Sequence, residues 1–259
     1  MTDSSDPLFW TQEGLPVPAV SAAQMREVDR IVVEEFGLGI LQMMENAGRN
    51  LAQNVIDMLG GTGRVVTVLA GAGGNGGGGL CCARHLHNRG YTVNLVLDRE
   101  PTALRGAAAH QLRILQAAGL RPVQASGVEG AMRQAGLVVD ALIGYSLRGV
   151  PRGRAAELVE MCNTLRVGHE CASQVLSLDV PSGLNATTGE APGVVVCPHR
   201  TLTLALPKTG LASVSSDLYV ADIGIPPEAY QALGLSMEPF FRDRFWISLQ
   251  GGFHSTRGR

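Results

Sequence analysis

The chain is expected to fold as an α/β protein, a three-layer α/β/α sandwich around a mostly parallel central sheet of about seven or eight strands. Three observations carry that expectation. Short β-branched apolar runs recur along the 259 residues, with helical stretches between them. Most of these runs are continuously apolar rather than alternating, as in strands buried on both faces. A glycine-rich segment, "GAGGNGGGGL" at 71–80, stands between the first long run and a helix, at the kind of junction where open α/β sheets bind ligands.

Taken in order, "SAAQMREVDRIVVEEFG" offers Ser21 as an N-cap and spaces Met25, Val28, Ile31 and Val32 for one helical face. "GILQMMENAGRNLAQNVIDMLGG" reads as a second helix closed by glycines. Strands are then expected at 64–70, 91–98, 121–125, 137–143, 174–180, 200–206 and 218–223. Helices are expected at 80–89, 103–118, 128–134 and 152–165. Neither an internal repeat nor a low-complexity linker divides the sequence. One domain over 1–259 is expected, with a core at about 18–235 and flexible ends, the C-terminal one at 250–259.

Composition narrows the function. The chain is 45% hydrophobic and 17% charged with a net charge of −2, which gives no sign of a nucleic-acid or anionic-membrane partner. No apolar run reaches the roughly 18–20 residues of a membrane span. The polar start "MTDSSDPLFW" does not resemble a signal peptide. Five cysteines without framework spacing suit reduced thiols and a cytoplasmic setting. His85 and His87 lie two apart on an expected helix and make a poor metal pair. Arg148, Arg152 and Arg154 cluster in sequence, as a solvated face or as partners for phosphate.

Glycines at a strand-to-helix junction let backbone N–H groups approach an anion, and the helix adds its positive end. A slack linker is a poor account, because the segment lies inside a βα unit. Gly71-x-Gly73-x-x-Gly76, with Asp98 closing the next strand, fits a dinucleotide fingerprint and an NAD-dependent oxidoreductase. The fingerprint is degenerate in so glycine-rich a stretch, and Asp98 also reads as a turn residue. The Walker pattern of nucleotide triphosphatases is absent. Two further strand ends carry polar groups: Asp140 in "VVDALIGYSLRG", and Asp179 with Ser182 in "LDVPSG". An acid in an apolar strand is expensive unless paired or liganded, so these residues point to a site at the same sheet edge.

Six ordered stretches, "MENAGRNLA", "GAGGNGGGGL", "VVDALIGYSLRG", "LDVPSGLNATTG", "LALPKTGL" and "YVADIGIP", resemble the NAD(P)H-hydrate epimerase family, the YjeF N-terminal domain, over about residues 18–235. The resemblance implies a Rossmann-like fold, commonly dimeric. It implies interconversion of the R and S forms of hydrated NADH and NADPH, small-molecule substrates hydroxylated at C6 of the nicotinamide ring. It places the substrate on Gly74, Asn75, Gly76, Gly77 and Gly78, on the loop Gly144, Tyr145, Ser146, Leu147, Arg148, Gly149 and Val150, and on Asp179. It implies a potassium ion held by Asn75, Asp140 and Ser182, an all-oxygen set that suits a hard cation. It also implies a separate hydrate dehydratase in the same pathway. The family's loop asparagine and aspartate are replaced here by Gly74 and Gly78, which keeps a nucleotide-binding domain without activity as an alternative. C6 of the hydrate is a hemiaminal carbon. Loss of its hydroxyl to a flat iminium and return of water inverts it, and Asp179 is the candidate proton shuttle.

Overall fold

The computed structural model describes residues 9–61, 63–167 and 173–251. Cys171 and the expected flexible ends at 1–8 and 252–259 lie outside the described residues. In chain order the elements are β1 (Phe9–Thr11), β2 (Pro16–Val17), α1 (Ala22–Glu34), α2 (Ile40–Leu59), β3 (Val65–Ala70), α3 (Gly74–His87), β4 (Thr92–Leu97), α4 (Gly106–Ala117), α5 (Val128–Arg133), β5 (Leu137–Ala141), α6 (Gly153–Val167), β6 (Gln174–Leu178), β7 (Arg200–Leu204), β8 (Asp217–Ala221), α7 (Pro227–Gln231) and β9 (Trp246–Gly251).

The strands form one sheet in the order β2-β1-β9-β8-β7-β6-β5-β3-β4. From β4 to β8 every pairing is parallel; β9, β1 and β2 continue the sheet antiparallel. The sheet thus extends past the expected core of 18–235 on both sides. Residues 250 and 251, expected in a flexible tail, close β9 and pair with β1 through Trp10↔Gln250 and Phe9↔Gly251. The strand expected at 121–125 is reduced to a single bridge between Pro122 and Leu95, since proline has no N–H to extend a ladder.

Period-2 alternation assigns the two faces of the sheet. Val66, Val68 and Ala70 of β3 pack with Leu51 of α2, Leu80 of α3 and Leu112 of α4. Leu69 of β3 and Val138 of β5 face the other way, among Met132 of α5 and Leu158 of α6. Helix α1 covers the β7–β9 end through Met25, Val28, Ile31 and Val32, the four residues its periodicity singles out. Ser21 caps that helix through a reciprocal pair, Gln24 N–H to Ser21 Oγ at 3.2 Å and Ser21 N–H to Gln24 Oε1 at 2.8 Å.

The glycine segment is the main local surprise. The helix expected at 80–89 begins six residues earlier, at Gly74, so 74–79 form its first turns rather than a loop. Each glycine costs up to about 1 kcal/mol in a helix, and close packing offsets that cost. A Cβ on Gly77 would stand 2.5 Å from Met44 of α2, and one on Gly79 would stand 2.5 Å from the Ala141 side chain of β5.

Candidate active site

The chain leaves β3 toward β4 on one side, while β5 pairs with β3 on the other. This reversal marks a switch point, and its carboxyl edge is where open α/β sheets bind ligands. A cleft of about 900 Å³ opens there. Its walls come from the β3–α3 turn, the segment after β5, the end of β6, Lys208, and helices α1 and α2.

The β3–α3 turn is compact because its backbone meets other backbone. A Cβ at Gly71 would lie 2.0 Å from Leu142 O, and one at Gly76 would lie 1.7 Å from Gly71 O. By contrast, a Cβ on Gly73 or Gly74 would meet nothing within 4 Å, and both line the cleft. Gly73 is the N-cap, and Gly77 N–H already donates to Gly73 O at 3.1 Å. The donors left for an anion are therefore the N–H groups of Gly74, Asn75 and Gly76. Gly77 is committed to the helix. Gly78 lines the cleft, and a Cβ there would press only on the end of Leu178, at 2.8 Å.

Strand β5 ends one residue past Asp140. Strand β6 ends at Leu178, so Asp179 follows the strand instead of lying in it, with φ at +68°. That conformation costs a non-glycine residue about 1–3 kcal/mol and persists only where surroundings enforce it. The surroundings are visible. Asp179 Oδ1 accepts from Lys208 Nζ at 2.5 Å, and Oδ2 accepts from Tyr145 N–H at 2.9 Å. Lys208 is 1% exposed and also donates to Leu204 O at 2.9 Å. In the sequence, the stretch "LALPKTGL" carries no functional signal at Lys208, since a lysine in a turn-like stretch reads as surface.

Asp140 is sealed rather than open. Its carboxylate accepts from Ser177 Oγ at 2.7 Å, Ser182 N–H at 2.9 Å, Ser182 Oγ at 2.5 Å and Leu142 N–H at 3.3 Å. Burial raises its acid above the ordinary carboxylate range, and these donors offset only part of that rise. Asp140 and Ser182 are thus in direct contact. Asn75 reaches the same edge, with Nδ2 donating to Leu178 O at 3.2 Å. Asn75 Oδ1 has no hydrogen-bond donor among the described residues. It shares the space over Gly144 with Asp179 Oδ2, each 3.1 Å from where a Gly144 Cβ would stand.

The segment after β5 brings Gly144, Tyr145, Ser146, Leu147, Arg148 and Val150 to the cleft wall, with Gly149 turning the chain at φ +70°. Arg148 and Arg152 line the cleft, whereas Arg154 is paired with Glu157 at 2.9 Å. Asp98 also faces the cleft, but both its oxygens are taken by Arg99, at 2.8 and 2.9 Å; it is not offered freely to a ribose. His85 does not face His87. It bonds Glu45 at 2.8 Å, beside Cys81, so that ligand atoms of the three lie within 4.8 Å of one another. Glu45 is already paired with Arg84, and burial pushes the Cys81 thiol up to about 12, which leaves that cluster a poor cation site.

The fold and the site define a doubly wound α/β protein with a cleft at its switch point, a helix N-terminus lining that cleft, and a buried carboxylate–ammonium pair. Residues 40–210 match the family described as YjeF-related protein N-terminus. The chain belongs to that family. It is 48% identical to an NAD(P)H-hydrate epimerase of Dehalogenimonas lykanthroporepellens over 88% of this chain and 90% of that one. It is 35% identical to one of Rhodopirellula baltica, over 83% and 87%. It is 37% identical to a bifunctional NAD(P)H-hydrate repair enzyme of Hyperthermus butylicus, over 92% of this chain but only 45% of that longer protein. The crystal structure of yeast ynu0, YNL200c, superposes with a TM-score of 0.78 over 90% of this chain and 100% of that one, at 24% identity; it shares the fold. No described helix is long and apolar enough to cross a membrane.

Proposed function

We propose that the protein is an NAD(P)H-hydrate epimerase, an isomerase of damaged cofactor. The observation that carries the reading is the Asp179 carboxylate. It is buried at the cleft edge, fixed on both oxygens by Lys208 and the Tyr145 backbone, and set beside the exposed N-terminus of α3.

The chemistry follows from the substrate carbon. The ring nitrogen lone pair expels the C6 hydroxyl as water once a proton reaches it, leaving a planar iminium. Water then adds to the other face and gives up a proton. In this reading Asp179 takes or returns that proton. Its fixed seating on the cleft wall supports that role. The diphosphate of the dinucleotide would lie over the N–H groups of Gly74, Asn75 and Gly76, with Arg148 and Arg152 as further charge partners.

The reading extends to a potassium ion on Asn75, Asp140 and Ser182. The fit rests on the donor chemistry: three oxygens, two already in contact and the third, Asn75 Oδ1, without a donor. Bound there, the ion would supply positive charge to the sealed Asp140 and hold the β5 and β6 ends together. A homodimer, work in the cytoplasm and a separate dehydratase complete the proposal. The bifunctional NAD(P)H-hydrate repair enzyme of Hyperthermus butylicus supports a second repair activity in the same pathway.

The test is direct. The protein is incubated with pure R-hydrate of NADH, and the S form is followed by chromatography until the two equilibrate. A protein that binds the hydrate without interconverting it would favour the non-catalytic binding reading, for which the missing side chains at Gly74 and Gly78 are the motive.

A further inference from the structure

The cleft holds a second acid. Asp29 lies on α1 and lines the cleft wall away from the sheet edge. Its Oδ2 accepts a hydrogen bond from the Tyr145 hydroxyl at 2.5 Å. The same tyrosine donates its backbone N–H to Asp179. One residue therefore spans the distance between two carboxylates, with its ring beside the Lys208 ammonium, 5.7 Å from Nζ to the centroid.

Resting on the epimerase reading, we propose that the Tyr145 hydroxyl, backed by Asp29, is the second proton-transfer group of the reaction and serves the ring face opposite Asp179. Inversion at C6 is a two-face event: hydroxyl leaves from one side and water arrives on the other. A carboxylate held on both oxygens serves one face of a ring that is itself held. The other face needs its own proton carrier, and the Tyr145 hydroxyl is turned from the Asp179 side toward the α1 wall, where it meets Asp29.

The step balances. As the C6–O bond breaks, the Tyr145 O–H proton passes to the departing oxygen, which keeps the bonding pair and leaves as water. For this step Asp29 starts as the acid and donates to the Tyr145 oxygen, the reverse of the donation its carboxylate accepts; the tyrosine oxygen takes that proton as its own leaves, and the nitrogen lone pair forms the C=N bond. A water then attacks C6 from the Asp179 side, and its extra proton passes to that carboxylate. Asp29 ends as a carboxylate and Asp179 as an acid; solvent returns the proton. In the opposite direction the two groups exchange roles.

The surroundings suit this use. Burial raises the Asp29 acid above its ordinary range, against the Tyr145 hydrogen bond and the Lys208 charge. Burial, and then the Asp29 charge, raise the Tyr145 phenol, so it relays a proton as a neutral group instead of ionising. The charged and titratable groups around Asp29 are Arg26, Arg30 and Glu34 on its own helix, Lys208 and Asp179 across the cleft, and Tyr230 of α7. Arg30 is already engaged by Glu27, Glu34 and Glu35 at 2.7–3.0 Å.

A purely structural tether between α1 and the β5 segment is the competing account, and kinetics separate the two. With pure R- and S-hydrates of NADH, Tyr145→Phe should lower kcat about 100-fold, with KM within about twofold of wild type. Asp29→Asn, which acts through the tyrosine, should lower kcat by roughly tenfold in the same assay. Tyr145→Phe with wild-type kcat, or with a loss confined to KM and melting temperature, overturns the inference. Should Tyr145→Phe not fold, unchanged kcat in Asp29→Asn does the same. A wild-type protein that leaves both epimers untouched overturns the epimerase reading and this one together, whereas an active wild type beside an equally active Tyr145→Phe overturns only this one.

Discussion

Asp140 and Asp179 sit at the ends of neighbouring strands on one sheet edge, and the chain surrounds them differently. Asp140 is closed in by two serine hydroxyls and two backbone N–H groups. Asp179 has one ammonium and one N–H, a left-handed backbone, and a place on the cleft wall. The first arrangement ties β5 to the turn after β6. The second holds a carboxylate where a substrate can touch it. Equal burial therefore does not mean equal access: Asp179 lines the cleft and Asp140 does not.

The largest expected effect on stability is at the pair. Lys208→Met leaves Asp179 buried without its cation, and should cost about 3–5 kcal/mol, read from urea unfolding midpoints. A loss below about 1 kcal/mol, the scale of an exposed pair, would mean the pair is solvent-screened and the contrast with Asp140 is overstated.

The glycine run repeats the contrast between packed and open positions. Gly76→Ala forces a Cβ to 1.7 Å from Gly71 O, and should cost roughly 1–3 kcal/mol or more, as overpacking does. Gly73→Ala meets nothing within 4 Å, so it should unfold like wild type while binding the dinucleotide more weakly. Thermal melts and calorimetric titration of both variants check this, and the reverse ranking would remove the helix end from the binding site.

The smallest effect is a pH slope. Asp29 has its acid raised by burial. A carboxyl with a raised folded-state value adds stability below its unfolded value, and that contribution is lost as pH rises through the folded one. Wild type should therefore lose stability relative to Asp29→Asn as pH climbs from the ordinary carboxylate range through the raised value. Parallel melting curves over that window would show that burial of Asp29 carries no such penalty.

The parallel half of the sheet was legible in sequence because its strands are buried on both faces and read as unbroken apolar runs. The antiparallel half was not. Phe9–Thr11 and Pro16–Val17 are too short to show a period, and Phe9–Thr11 pairs with Trp246–Gly251 from the other end of the chain. The start of α3 was hidden by propensity, since a glycine run reads as a loop until Met44 and Ala141 are seen to need its missing side chains. Asp140, Asp179 and Ser182 stood out as polar residues in apolar surroundings. Lys208 and Asp29 did not: one lies in a turn-like stretch, and the other on the polar side of an amphipathic helix, where acids are ordinary.

The measurement that bears most directly on Asp179 as the chemical acid is a paired one, epimerisation rate and melting temperature on Asp179→Asn, Lys208→Met and the double variant. Each single variant strands a buried partner. The double removes the charged pair, so its melting temperature should return most of the way to wild type, because replacing both ions of a buried pair is often near neutral. Its rate should stay about 100-fold or more below wild type, the usual scale for loss of a general acid–base group. A double variant that recovers rate together with stability would contradict the account and leave Asp179 as scaffold, like Asp140.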